Sequence, residues 1–195
     1  MSPSQRTLKR ILDIVLAGTA LAGGWPFLAA LAILIRIDSP GPVLFRQERA
    51  GRGMRPFTVY KFRTMRADAD PYDVSPMRRE DARLTRLGRW LREMTLDELP
   101  QLWNVLRGDM SLVGPRPLYM SQARQFNERE RRRLEVRPGL TGLAQVLGRG
   151  EIPHEEKLEI DVQYVERWSL MLDLTIILRS VRLLLPNERV YQKWT

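Results

Sequence analysis

The run from Ile11 to Ile35 constrains this chain more than any other feature, because it is almost entirely apolar, with Asp13 as its lone charge. As a straight helix rising roughly 1.5 Å per residue, it is long enough to cross a hydrocarbon layer roughly 30 Å thick. Two features oppose a straight crossing. Gly23, Gly24 and Pro26 fall together in the middle of the run. Pro26 has no amide hydrogen and its ring presses on the preceding turn, so a sharp bend is expected there. Positive charge also sits at both ends, with Lys9 and Arg10 before the run and Arg36, Arg46, Arg49 and Arg52 after it. A spanning helix carries that bias on one side only. The segment therefore predicts a re-entrant hairpin: two short helices meeting at residues 23–26 and dipped into one leaflet, with polar groups such as Thr19 satisfying the freed carbonyls. The alternatives are a kinked spanning helix and a signal peptide cleaved near Ala20-Leu21-Ala22. Asp13 and the apolarity continuing past Ala22 oppose cleavage. The expected division is a membrane segment over residues 1–37 and a cytoplasmic catalytic domain over residues 38–195, packed on the interface.

A chain of 195 residues with 44% hydrophobic content supports one compact core. Thirty-two Lys and Arg against 23 acidic residues give a formal charge of +9, which favours an anionic partner such as nucleic acid, phospholipid headgroups or a phosphorylated small molecule. Arginine dominates that charge and suits bidentate grips on phosphate, although a biased genome composition gives the same count. With no cysteine, disulfides, thiol catalysis and Cys-based metal sites are excluded. His154 is the single histidine, which opposes His-clustered zinc sites and a Ser-His triad.

Beyond the apolar run, "DSPGPVLFRQERAGRG" (residues 38–53) reads as a Pro/Gly turn, a short strand near Val43 to Arg46 and a glycine-rich basic turn. "FTVYKFRTM" (residues 57–65) alternates as a second strand, and an antiparallel hairpin is the simplest pairing. Residues 66–77, with Pro71 and Pro76, are expected to form a mobile loop. Leu84, Leu87, Trp90 and Leu91 recur at helical spacing with arginines between them, predicting a basic amphipathic helix. Further helices are expected over Tyr119 to Val136 and over residues 155–168. "SLMLDLTIILRSVRLLLP" (residues 169–186) carries Asp173, Arg179 and Arg182 and fits an interfacial or buried helix better than a spanning one. The fold class is α+β, mainly helical, with a membrane helix-hairpin broken at Pro26, a small β-hairpin and amphipathic interfacial helices.

The densest cluster of chemically useful residues is "TLDELPQLWNVLRGDMSLVGPRPL", residues 95–118. It holds adjacent carboxylates Asp97 and Glu98, a third at Asp109, and Arg107 and Arg116. Thr95 to Glu98 also matches a capping box, in which Glu98 only ties down a helix start. Pro100 favours another reading. If it opens the helix, the two acids lie just before free amide groups and need a divalent metal or arginines to hold them. "GPRPL" is a rigid turn able to fix the Arg116 guanidinium. "VRPGLTGLAQVLGRG" (residues 136–150) is a second turn-rich basic loop, either an ordinary connection or one whose glycines let backbone approach a ligand.

Taken together, "KRILDIVLA", "SPGPVLFRQERAG", "YKFRTM", "LDELPQLWNVLRGDMSLVGPRPL" and "RPGLTGLAQV" resemble the bacterial sugar transferases, and within them the small monotopic phosphoglycosyl transferases. Five motifs match in family order from about Lys9 to Leu185. The resemblance implies a re-entrant helix broken at a Ser-Pro pair; here the pair is Trp25-Pro26, so the help of the serine in capping the break is missing. It also implies transfer of a sugar 1-phosphate from a UDP-sugar to polyprenyl phosphate at the cytoplasmic face of the bacterial inner membrane, an early step of glycoconjugate or polysaccharide assembly. Larger members carry an additional N-terminal membrane domain, for which this chain is too short.

By the same resemblance Asp97 and Glu98 are the catalytic pair. Asp97 attacks the sugar-proximal phosphorus and expels UMP, Glu98 accepts a proton from the incoming polyprenyl phosphate or orients it, and Mg2+ held through Asp97 neutralises the diphosphate. Lys61, Arg92 and Arg116 are the candidates for gripping phosphoryl oxygens, and Asp161 and Asp173 join the substrate site by orienting cations. The expected partners are the UDP-sugar, polyprenyl phosphate and membrane phospholipid, without nucleic acid; an apolar C-terminal helix at an interface also makes a homodimer plausible. Two alternatives stay open. One is a non-catalytic basic protein bound to membrane or nucleic acid, although no recognisable nucleic-acid-binding motif is present. The other is a direct transfer in which Asp97 only holds metal.

Overall fold

The computed structural model describes residues 2–69, 76, 80–148 and 152–183. Most of the expected 66–77 loop, residues 149–151 at the end of the second basic loop, and the last residues of the predicted C-terminal helix lie outside them. Helix α1 runs over Pro3–Asp38, capped at its start by Ser2 and Gln5 in a capping box. A hairpin follows, β1 (Leu44–Ala50) antiparallel to β2 (Pro56–Phe62). Then come α2 (Arg86–Glu93), α3 (Gln101–Arg107), β3 (Ser111–Val113), α4 (Met120–Ala123), α5 (Glu128–Arg131), β4 (Gly139–Thr141), α6 (Leu143–Gly148), α7 (His154–Arg167) and α8 (Leu170–Leu183). Helices with small two-stranded sheets make the α+β class expected from the sequence.

The apolar run differs from expectation at its centre. It is one helix passing through Pro26, not two helices separated by a turn at residues 23–26. Proline in a helix interior costs about 3 kcal/mol through its lost hydrogen bond and ring contact. Here packing on both sides of the weak point offsets that cost. In the N-terminal half, Ala17 and Leu21 join Leu102, Val105 and Met110 of the α3 region. In the C-terminal half, Leu31 and Ile35 join Phe62 of β2 and Leu91 of α2. The buried Leu31 and Ile35 side chains are each worth about 1.5–3 kcal/mol. Both halves of α1 therefore rest on one body, while Ile11, Val15, Trp25, Phe27, Ile33 and Ile37 on the remaining surface are exposed.

Polar side chains fix the N-terminal half further. Arg10 donates to the carbonyls of Val105 and Leu106 at 2.6 and 2.8 Å, covering the open end of α3. Asp13, buried inside the apolar run, accepts from Ser111 Oγ at 3.1 Å and from the Leu112 amide at 3.0 Å. The single charge of that run is thus satisfied by protein and not by lipid headgroups.

Two further segments depart from expectation. Residues 119–136 do not form one helix: α4 ends near Ala123, and Asn127 starts α5 with a new capping box to Glu130. A strong N-cap inside a helical pattern ends one helix by beginning another. In the loop of residues 136–150, Gly139 and Gly142 lie against the backbone of Gly114. A Cβ on Gly139 would lie 2.1 Å from the Gly114 amide nitrogen, so the two glycine turns press together and allow β3 and β4 to pair in parallel. That pairing builds the platform under "GPRPL".

Candidate active site

The strand β2, the turn after α2 and the "GPRPL" turn converge on one large cavity of about 1540 Å³. Lys61 reaches it from β2, in register with Phe45. The two acids reach it from a 3-10 turn over Leu96–Glu98, which begins at Thr95 in a left-handed conformation (φ 58°, ψ 18°). A β-branched residue there stores strain of about 1–3 kcal/mol, a cost tolerated at sites that must aim side chains. Thr95 makes no side-chain cap, so the capping-box reading of Glu98 is not what the structure adopts. Pro100 takes the N-cap of α3 and the helix starts at Gln101, one position after the expected start at Pro100.

Asn104 locks this arrangement and went unnoticed in the sequence. Fully buried on α3, its side chain accepts from the Tyr60 amide at 3.2 Å and donates to the Thr58 carbonyl at 2.7 Å. The helix after the two acids is thereby bonded to the strand that carries Lys61. A polar residue on the buried face of a short helix was the available signal.

The adjacent acids have different fates. Glu98 is buried, and its Oε1 accepts from Lys61 Nζ at 2.7 Å and from Arg116 Nη2 at 3.0 Å. Burial alone would raise its pKa, but Arg116 and Lys61 outweigh it and hold the carboxyl well below its ordinary range. Asp97 has no hydrogen bond or ion pair among the described residues. Burial pushes its pKa up to about 6 and the Glu98 charge adds to this, against the pull of Lys61, Arg92 and Arg116. One carboxylate is committed to organising two cations, and its neighbour is left with free lone pairs.

Of the other sequence candidates, Arg92 lines the same cavity and has no acidic partner among the described residues. Asp161 also lines it, but its charge is taken by Arg133 at 2.5 Å. Asp173 is not brought to the group. It lies buried under α1, bound by Lys9 at 2.5 Å, Tyr164 Oη at 2.7 Å and Trp168 Nε1 at 3.1 Å. Asp109 and Arg107 pair with each other at 3.4 Å and do not line the cavity. Among the described residues there is no cluster of three or more His, Asp or Glu able to hold a metal. A Mg2+ that keeps its waters needs only one or two carboxylates plus substrate phosphates, and the free carboxylate of Asp97 fits that mode.

The cavity wall is not wholly polar. Leu16 and Ala20 of α1, with Leu102, Leu112, Leu140, Ile177 and Val181, line it as well. The cavity thus brings together an Asp97 carboxylate without a partner among the described residues, the cations Lys61, Arg92 and Arg116, and an apolar wall that includes α1. The bacterial sugar transferase model matches residues 4–187, and the chain belongs to that family of transferases. It is 47% identical over 191 residues to the UDP-glucose:undecaprenyl-phosphate glucose-1-phosphate transferase of Caulobacter vibrioides, covering 94% of this chain and 72% of the relative. It is 44% identical to the uncharacterized sugar transferase EpsL of Bacillus subtilis, covering 95% of this chain and 91% of that one. It is 41% identical to the UDP-glucose:undecaprenyl-phosphate glucose-1-phosphate transferase of Escherichia coli K12, of which it spans 43%. Membership of a transferase family sets aside the non-catalytic reading.

Proposed function

We propose that this chain transfers a sugar 1-phosphate from a UDP-sugar to polyprenyl phosphate through a covalent phosphosugar ester on Asp97. The observation that carries this reading is the Asp97 carboxylate, which has no hydrogen bond or ion pair among the described residues, beside a Glu98 whose Oε1 is held by both Lys61 and Arg116. In the first step an Asp97 oxygen bonds to the sugar-proximal phosphorus, and the phosphoanhydride bond breaks to release UMP. In the second, a phosphate oxygen of polyprenyl phosphate attacks the same phosphorus, giving the lipid diphosphate-sugar and freeing Asp97. Splitting the displacement lets two mutually repelling anions use one set of cations in turn.

Lys61, Arg92 and Arg116 grip phosphoryl oxygens at that set. Glu98, whose carboxyl Arg116 and Lys61 hold below its ordinary range, orients those two cations. Asp97 is the residue that would hold Mg2+, and the ion, when bound, would supply charge neutralisation for the attack of one anion on another.

The meeting of a soluble and a lipid substrate accounts for α1. Because both of its halves pack on the same catalytic body, a dip into one leaflet from the cytoplasmic face fits the packing better than a crossing. The exposed apolar stripe of α8, Met171, Leu174, Leu178 and Val181, extends the surface offered to phospholipid.

The test is release of UMP from a panel of UDP-sugars with polyprenyl phosphate in detergent micelles. Turnover with at least one sugar, in a ping-pong initial-rate pattern, is the expected outcome. Intersecting lines would replace the covalent route by direct transfer, and no UMP from any sugar would end the reading. Single-cysteine labelling at each end of α1 in sealed vesicles checks the dip; opposite accessibility of the two ends would contradict it.

A further inference from the structure

We propose that the buried Arg133–Asp161 ion pair is a strut that positions Arg116, so that both residues act on phosphate binding through Arg116 without touching substrate. The proposal rests on the reading of Arg116 as a phosphate grip.

The Arg116 side chain is 49% exposed, so packing does not aim it. Its direction depends on Glu98 at one end and on where the backbone holds its Cα at the other. Pro115 and Pro117 fix their own φ angles, which stiffens the turn internally but does not fasten it to the body. Fastening is done through the carbonyls. That of Pro115 accepts from the Gly139 amide at 2.9 Å and that of Leu118 from the Ala50 amide at 2.9 Å, both backbone contacts. Between them, the Arg116 carbonyl accepts from the Arg133 side chain at 2.8 Å.

The same Nη2 of Arg133 donates to Asp161 Oδ2 at 2.5 Å, and the two side chains are 2% and 4% exposed. The Arg133 guanidinium also lies 5.3 Å from the Phe126 ring centre. Arg133 is therefore immobile, and a line of direct contacts runs from α7 through Asp161 and Arg133 to the Arg116 backbone, then through the Arg116 guanidinium to Glu98.

Stability alone does not explain this pair. Removing two charges from water is costly, and apolar replacements of buried ion pairs are often neutral or stabilising. Asp161 Oδ1 and Arg133 Nε, moreover, make no hydrogen bond among the described residues. What an apolar pair could not do is bond the Arg116 carbonyl.

That contrast supplies the experiment. Arg133→Met with Asp161→Leu removes the strut without leaving a lone buried charge. On the full chain, melting temperature, the kcat/KM for UMP release from the UDP-sugar that the wild type uses, and affinity for inorganic pyrophosphate by calorimetry are compared with Arg116→Met and with all three changes combined. A folded pair variant is expected to lose about 10-fold in kcat/KM, and Arg116→Met about 100-fold. The combination should be no worse than Arg116→Met by more than about 2-fold, because groups acting as a unit are non-additive. Pyrophosphate affinity should show the same pattern. Wild-type activity in the pair variant, or losses that multiply to about 1000-fold, would overturn the proposal. If the pair variant does not fold, Arg133→Leu with Asp161→Asn enters the same cycle with the same expectation, since it too leaves no lone buried charge and no guanidinium to bond the Arg116 carbonyl. If the wild type releases no UMP from any sugar, the proposed function fails, whereas the pyrophosphate cycle still decides whether the strut acts through Arg116.

Discussion

Two buried clusters in this protein are made from the same ingredients and do different things. Under α1, Asp173 is surrounded by Lys9, Tyr164 and Trp168, and both of its oxygens are taken. At the cavity, Glu98 is taken by Lys61 and Arg116, but the neighbouring Asp97 is left over. A carboxylate whose lone pairs are filled is a fastener, here joining α1 to α8. One that remains unfilled within a field of cations is available for bonding to phosphorus. What distinguishes them is Asp97, a carboxylate with no hydrogen bond or ion pair among the described residues, which has no counterpart under α1.

Substitutions that should act on only one cluster can break this comparison. Asp97→Asn is expected to reduce UMP release by at least about 10³-fold with no fall in melting temperature, because the lost group contributes its bond only during reaction and its buried charge does not stabilise the fold above about pH 6. Glu98→Gln should cost about 10²-fold and raise the donor KM, measured by initial rates, since Lys61 and Arg116 lose their shared anchor. Asp173→Leu leaves Lys9 buried without a counter-charge and should cost about 3–5 kcal/mol in denaturant unfolding. Whatever folds should keep near wild-type kcat, and a kcat loss as large as that of Glu98→Gln would erase the distinction. Asn104→Leu strands two backbone groups of β2 and should cost about 2–4 kcal/mol in the same unfolding measurement.

The mildest effect is on pH dependence. With its pKa raised from 3.8 to about 6, Asp97 must lose a proton to attack, so kcat/KM for UMP release should fall as pH drops below about 6. The stability sign is opposite. Between 3.8 and about 6 the folded chain binds the proton that the unfolded chain has released. The stabilisation from this group is full below that window and is lost as pH rises through it.

Much of the site was legible because its chemistry is local in sequence. Asp97, Glu98 and Arg116 lie in one motif, and the β-hairpin holding Lys61 announces itself by alternation and a glycine turn. What was not legible depends on partners distant in the chain. Asp173 reads as one more acid until α8 is seen against Lys9. Arg133 sits in a charge run, "ERERRRLEV", where nothing marks it as the one arginine turned inward. The parallel pairing of β3 with β4 was hidden for the same reason, since those strands are very short and the glycines joining them look like ordinary turns. Continuity through Pro26 follows from packing on both sides of the residue, which local propensity does not contain.

The central claim is that a phosphosugar resides on Asp97 between two half-reactions. Intact-mass and peptide spectrometry of the enzyme, mixed with its UDP-sugar and no lipid acceptor, tests it most directly. The account predicts a mass increase of one phosphosugar on the peptide carrying Asp97, released as UMP is added back or polyprenyl phosphate is supplied. Stoichiometric transfer to lipid from an enzyme that never acquires that mass, or persistent transfer by Asp97→Asn, would contradict it.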